Sequence, residues 1–179
     1  MRTALVDPLA SRDRPRTPRM ALAGDALPVL ADLAAALAEQ RAEADPRPVR
    51  ALVVGVDAAA PGLRGVRAST RRLRAVEVPD HLPGLRHLVV VVGGREGAIG
   101  RDIRALDAWV LRMHAELERT RAADVAVTGI LASGCPAPRL LANRVVDLVR
   151  HPVAAPRLAV EWADIRDRRI RDVALEARC

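Results

Sequence analysis

The chain has no Phe and no Tyr, and its two Trp are its only aromatic residues. It also has no Lys, so all 29 basic residues are Arg. Each absence excludes something. Any core must be filled by Val, Leu, Ala and Ile. These pack to native density but lack the area that each aromatic ring buries. Two cysteines, Cys135 and Cys179, make no disulfide framework. No apolar run reaches the roughly 18 residues that a membrane helix needs. The N-terminus lacks the apolar stretch of a secretory signal, so the expected location is cytoplasmic, with no membrane partner. HExxH and CxxC are missing, which argues against zinc. GxGxxG and GxxxxGK[ST] are missing too, so a nucleotide loop is weakly signalled at best. No cofactor is expected.

What is present fits one domain. The chain has 179 residues, half of them hydrophobic, enough for one substantial core and too few for two typical ones. The net charge is +7. Arg suits phosphate and carboxylate recognition because its planar fork donates in pairs. The composition also fits GC-rich codon usage, however, and the sequence shows no clustering of Arg into a basic patch. Codon usage is therefore preferred over a selected nucleic-acid surface. Residues 1–18 read as a flexible Arg/Pro-rich arm, with RDRPRTPR at 12–19 as a possible anchor for anionic partners. Residues 19–179 read as a single domain.

Short apolar runs alternate with helical patterns. Strands are expected at 20–23, 49–56, 87–92, 124–130 and 157–162. Helices are expected at 27–40, 139–150 and in the tail from Asp164. The segment 61–74 reads as a weak helix or a loop. Asp25 is a candidate N-cap and Pro28 suits a first turn. Four consecutive Val flanked by Gly93-Gly94 fit a strand buried on both faces. Ile99, Ile103, Leu106, Val110, Met113 and Leu117 step by three and four, placing one apolar stripe on one helix. His114 is expected on that helix's surface, and Trp109 is expected to pack. Trp162 ends the fifth strand, facing a crevice or a neighbour. The alternation predicts an α/β three-layer sandwich on a five-stranded, mostly parallel sheet. Ligands of such sheets bind beyond the carboxyl ends of the strands.

Those ends carry Gly24-Asp25-Ala26, Asp57-Ala58, Gly93 to Glu96, Leu131 to Cys135, and Ala163-Asp164. Met20-Ala-Leu-Ala-Gly-Asp-Ala-Leu27 resembles the opening block of the SGNH (GDSL-type) hydrolases, with Ala26 in the place of the serine. Gly55-Val-Asp-Ala-Ala59 is similar to the second block, with Ala58 where a glycine N–H serves the oxyanion hole. Val91-Val-Gly-Gly-Arg-Glu96 is similar to the third block, with Arg95 in the place of the asparagine and Glu96 beside it. After the fifth strand comes Asp164-Ile-Arg-Asp167, with no histidine where the family carries its base.

The resemblance implies an SGNH-like or flavodoxin-like topology from about Met20 to Asp164, with the Ser, Gly, Asn and His of the blocks all replaced. Thr128 to Gly134, followed by Arg150-His-Pro-Val153, is also similar to the end of a universal stress protein, without its phosphate-loop glycine spacing.

Ester hydrolysis needs a nucleophile, a base and oxyanion donors, and Ala26 cannot attack. Three residues remain as candidates for a substitute set: Asp25, Ser133 and Cys135. Asp25, Glu96 and Asp164 are too routine at strand ends to argue for a metal. Gly24, Asp25, Ala26, Ala58, Gly94, Arg95 and Glu96 are the expected ligand-binding positions. The leading expectation is a non-catalytic SGNH-like protein that binds a protein partner or a small anionic ligand, and that could be a homo-oligomer. An ester hydrolase or acyl transferase with a non-standard catalytic set is the enzyme alternative. A nucleotide-binding flavodoxin-like or universal-stress-like domain is a third.

Overall fold

The two most buried strands form where Val runs in short blocks. The computed structural model describes residues 19–40, 48–58, 73–74, 76–80, 82–93, 99–121, 124–152 and 156–176. The strands are β1 (Met20–Gly24), β2 (Ala51–Asp57), β3 (His87–Gly93), β4 (Ala126–Leu131) and β5 (Arg157–Glu161). The helices are α1 (Pro28–Gln40), α2 (Ile99–Arg121), α3 (Pro138–Arg150), α4 (Trp162–Ile165) and α5 (Ile170–Glu176). Residues 1–18, 94–98 and 177–179, and nearly all of 61–74, lie outside the described residues. So do the expected arm, Gly94, Arg95, Glu96 and Cys179. No described helix is long and apolar enough to cross a membrane.

All five strands are parallel, as expected, and their order is β1-β2-β3-β4-β5. A flavodoxin-like sheet instead runs 2-1-3-4-5. Here the first strand is an edge. Sequence alternation shows which segments are strands but carries nothing on which strands pair.

Alternate side chains divide the core in two. Met20, Ala51, Val53, Val89, Val91 and Ile130 face α1, α3, α4 and α5. Leu52, Val54, Val56, Leu88, Val90 and Val127 face α2. The three layers therefore form around a double-sided sheet, which explains why β2 and β3 read as continuous apolar runs. The expected stripe on α2 packs as read at Leu106, Val110 and Leu117, which are nearly fully buried. Gly129 lets α2 approach, because a Cβ there would meet Leu106 Cγ at 2.7 Å.

The layering has a topological consequence. The chain moves one strand in the same direction at every crossover, yet α1 and α3 lie on one face and α2 on the other. Crossovers of the same step over opposite faces have opposite hands. This sheet therefore breaks the right-handed rule for part of its connections.

Three local expectations are corrected. The tail is two short helices. A capping box opens α4: the Glu161 side chain accepts from the Asp164 backbone, and Asp164 accepts from the Glu161 N–H. His114 is buried, not on the surface. Its Nδ1 lies 3.1 Å from the Val125 carbonyl and its Nε2 3.3 Å from Glu118. Trp109 packs as expected and donates from Nε1 to the Leu73 carbonyl at 2.7 Å. Trp162 opens α4 instead of ending β5 and is buried in the core on the α1 face.

Candidate functional site: a crevice at the carboxyl edge

The loop leaving β1 turns toward the face of α1. After β2 the chain next appears at Leu73 and Val76, which pack on the opposite face. Loops that part in this way open a crevice between two neighbouring strand ends, the same geometry that places ligands at switch points in other open α/β sheets. A depression of about 370 Å³ lies there, lined by Ala23, Gly24, Asp25, Val54, Gly55, Val56, Val76 and Glu77.

Its floor is backbone. Gly24 adopts φ +87°, and a Cβ on it would lie 2.2 Å from the Gly55 carbonyl oxygen. A Cβ on Gly55 would lie 2.5 Å from the Asp25 carbonyl oxygen. Only glycine permits this approach of the two strand ends. Across the gap, the Asp25 amide donates to the Gly55 carbonyl at 2.8 Å, and Asp25 Oδ2 accepts from the Asp57 amide at 2.7 Å. The Asp25 carboxylate therefore ties β1 to β2, where the sequence alone offered it as a helix cap or a catalytic candidate.

The other expected positions separate. Ala26 is exposed beside the crevice. Ala58 sits at the end of β2, and its N–H donates to the Gly93 carbonyl at 2.9 Å, so the donor that the resemblance assigns to an oxyanion hole is already committed. Ser133 and Cys135 lie in the turn after β4, both partly buried, with Cys135 against the α1 and α3 core. Burial pushes the Cys135 thiol up, outweighing a hydrogen bond with the Ala137 backbone that pulls it down. A protonated thiol is a poor nucleophile. Among the described residues, no group of three His, Cys, Asp or Glu is placed to hold a metal ion.

No described histidine can serve as a base at Ala26. His87 begins β3, His114 contacts Val125 just before β4, and His151 follows α3, so all three sit toward the amino edge of the sheet. A strand of β3's length spans roughly 20 Å, far beyond proton-transfer reach. His81 lies outside the described residues.

Sequence reasoning missed Val76 and Glu77. Their segment was expected to end at Arg74 as a weak helix or loop, and nothing in its composition marks it as the far wall. That wall is fixed by α2. Arg121, only 14% exposed in its side chain, donates from Nη1 to the Leu82 carbonyl at 3.0 Å. Its Nη2 reaches the Val78 carbonyl at 3.1 Å and the Pro79 carbonyl at 2.7 Å. With Trp109 on Leu73, these bonds satisfy carbonyls that no helix or strand would satisfy.

No family model, curated protein or solved structure matches the chain.

Proposed function

We propose that the chain is a non-catalytic SGNH-like protein that works by binding a protein partner or a small ligand at the β1–β2 crevice. One observation supports this reading above the others. The positions that would carry nucleophile and oxyanion donor are Ala26, which has no nucleophilic atom, and Ala58, whose N–H is bonded to Gly93. Removing such a nucleophile or base costs many orders of magnitude in rate. The substitute candidates fare no better, since Asp25 is held by the Asp57 amide and Cys135 is held protonated. The charged side chains in the described lining are Asp25 and Glu77. An anionic ligand would need Arg95 to face the crevice, so a neutral or hydrogen-bond-donating group suits the described walls better.

Two measurements test this. Turnover of a short p-nitrophenyl ester should not exceed background. Activity that disappears in Cys135→Ala or Asp25→Ala would overturn the non-catalytic reading. Fragment binding followed by amide NMR should shift Gly24, Gly55, Val56 and Glu77, and Ala23→Trp should block it by filling the crevice.

A further inference from the structure

The two outer strands of the sheet are finished differently. β5 carries Arg157 and Glu161 at its ends and runs straight into α4. β1 reads Met-Ala-Leu-Ala-Gly, without the charge or Pro that usually guards an exposed edge. Among the described residues its backbone pairs with β2 alone. The Arg19 carbonyl accepts from the Arg50 amide at 2.8 Å, and the Asp25 amide donates to the Gly55 carbonyl at 2.8 Å. The odd-numbered residues thus turn their polar backbone groups toward β2. By alternation, Met20, Leu22 and Gly24 turn theirs outward.

Side chains alternate as well. Met20 and Leu22 pack toward α1, and Ala21 packs on the other face, which Ala23 shares. On that face β2 presents Leu52 and Val54 directly beside Ala21 and Ala23. α2 packs over β4 and β5, toward the far side of the sheet. The step down from valine to alanine, away from α2, is what makes the crevice. Open edge and crevice therefore coincide. A chain laid along β1 has a residue beside Ala23, and its side chain points to the same face, into the crevice.

We propose that a partner protein adds an extended peptide segment to the β1 edge and inserts one Lys or Arg side chain into the crevice. This rests on the crevice being the binding site. The walls at Val54, Val56 and Val76 suit an aliphatic stem, which lies on apolar surface while its charged head stays in water. The head then lies beside Glu77. That residue is exposed and makes no ion pair among the described residues, whereas Asp25 already accepts from the Asp57 amide. An acidic side chain would instead meet carboxylates. A second copy of the chain fits poorly. Pairing β1 with itself about a two-fold normal to the sheet brings Ala21 or Ala23 to the crevice and leaves it unfilled.

The test is fluorescence anisotropy of a labelled, end-capped peptide Thr-Val-Lys-Val-Thr with the full chain. The same peptide with Glu in place of Lys should bind at least about fivefold more weakly. Glu77→Lys should reverse that preference, and Glu77→Gln should remove most of it. N-methylating alternate amides should abolish binding for the set that faces β1 and spare it for the other set.

Equal binding of the Lys and Glu peptides would overturn the proposal. So would an unchanged preference in Glu77→Lys, tolerance of both N-methylated sets, or self-association of the chain that excludes the peptide. Circular dichroism confirms that the Glu77 variants fold. Should one melt early, the two N-methylated peptides decide with the unaltered chain. Fragments that shift Gly24 and Gly55 while no peptide binds would overturn this inference and leave the crevice as a small-ligand site. Binding of neither would remove both readings.

Discussion

The two edges of the sheet are built on opposite plans. At the carboxyl edge, backbone approaches backbone: Gly24 and Gly55 come into contact, Asp25 spans the gap to Asp57, and among the described residues the charged side chains lining the crevice are Asp25 and Glu77. At the amino edge, the exposed Arg19, Arg50 and Arg86 precede their strands in register and the backbone is ordinary ladder. One edge offers shape, and the other offers charge. Shape selects by fit. Exposed charge acts by field and depends on ionic strength.

Substitutions can break this contrast. The largest effect is expected at Gly24. Gly24→Val must place a Cβ against the Gly55 carbonyl in a backbone conformation that disfavours side chains. A stability loss of roughly 3 kcal/mol or more should appear in urea unfolding. Exposed Ala23 beside it should accept Ser with almost no change.

The amino edge should be the acid-sensitive one. His87, the first residue of β3, is buried, with Nε2 3.0 Å from the Thr128 hydroxyl, and burial lowers its pKa to about 4. The unfolded chain takes up this proton near 6.5 and the folded chain resists it. Stability is therefore full above about pH 6.5 and falls as the pH drops toward 4, by about 3 kcal/mol in total. The double variant His87→Leu, Thr128→Val removes both partners and should flatten that part of the stability profile. An unchanged acid limb would assign the sensitivity to carboxylates instead.

Arg121 links the two plans, since from the C-terminal end of α2 it holds the segment that continues from the crevice wall. Arg121→Met should cost about 2 kcal/mol. It should also speed amide exchange at residues 76–82 while leaving the ends of β1 and β2 protected. The smallest effect is at Cys135. In a Cys179→Ser background its alkylation at pH 8 should be slower than that of a free thiol, because burial keeps it protonated.

Much of the layering was legible in the residues. The Val run at 89–92 and the stripe from Ile103 to Leu117 are periodic signals with a direct packing cause, and both pack as read. Boundaries moved by a residue or two, as with β2 starting at Ala51 instead of Val49. Information between strands was not legible. Strand order, the Asp25–Asp57 tie, the contact of His114 with Val125 and the alignment of Arg19 with Arg50 and Arg86 all depend on register, and no local pattern encodes register. The crevice lies at the edge that the sequence named and is lined in part by Gly24 and Asp25, while Val76 and Glu77 were not legible because an irregular segment has no period.

The consecutive strand order also bears on how the chain assembles. Every strand pairs with the one made just before it, so no strand has to be inserted between two that are already joined. In a 2-1-3-4-5 sheet the third strand must reach past the second to find the first. Here each closure spans only the next crossover, which keeps the entropy of each step small and the mean separation of contacts low. The sheet can therefore grow strand by strand in the order of synthesis, with β1 staying at one edge while the growing edge advances to β5.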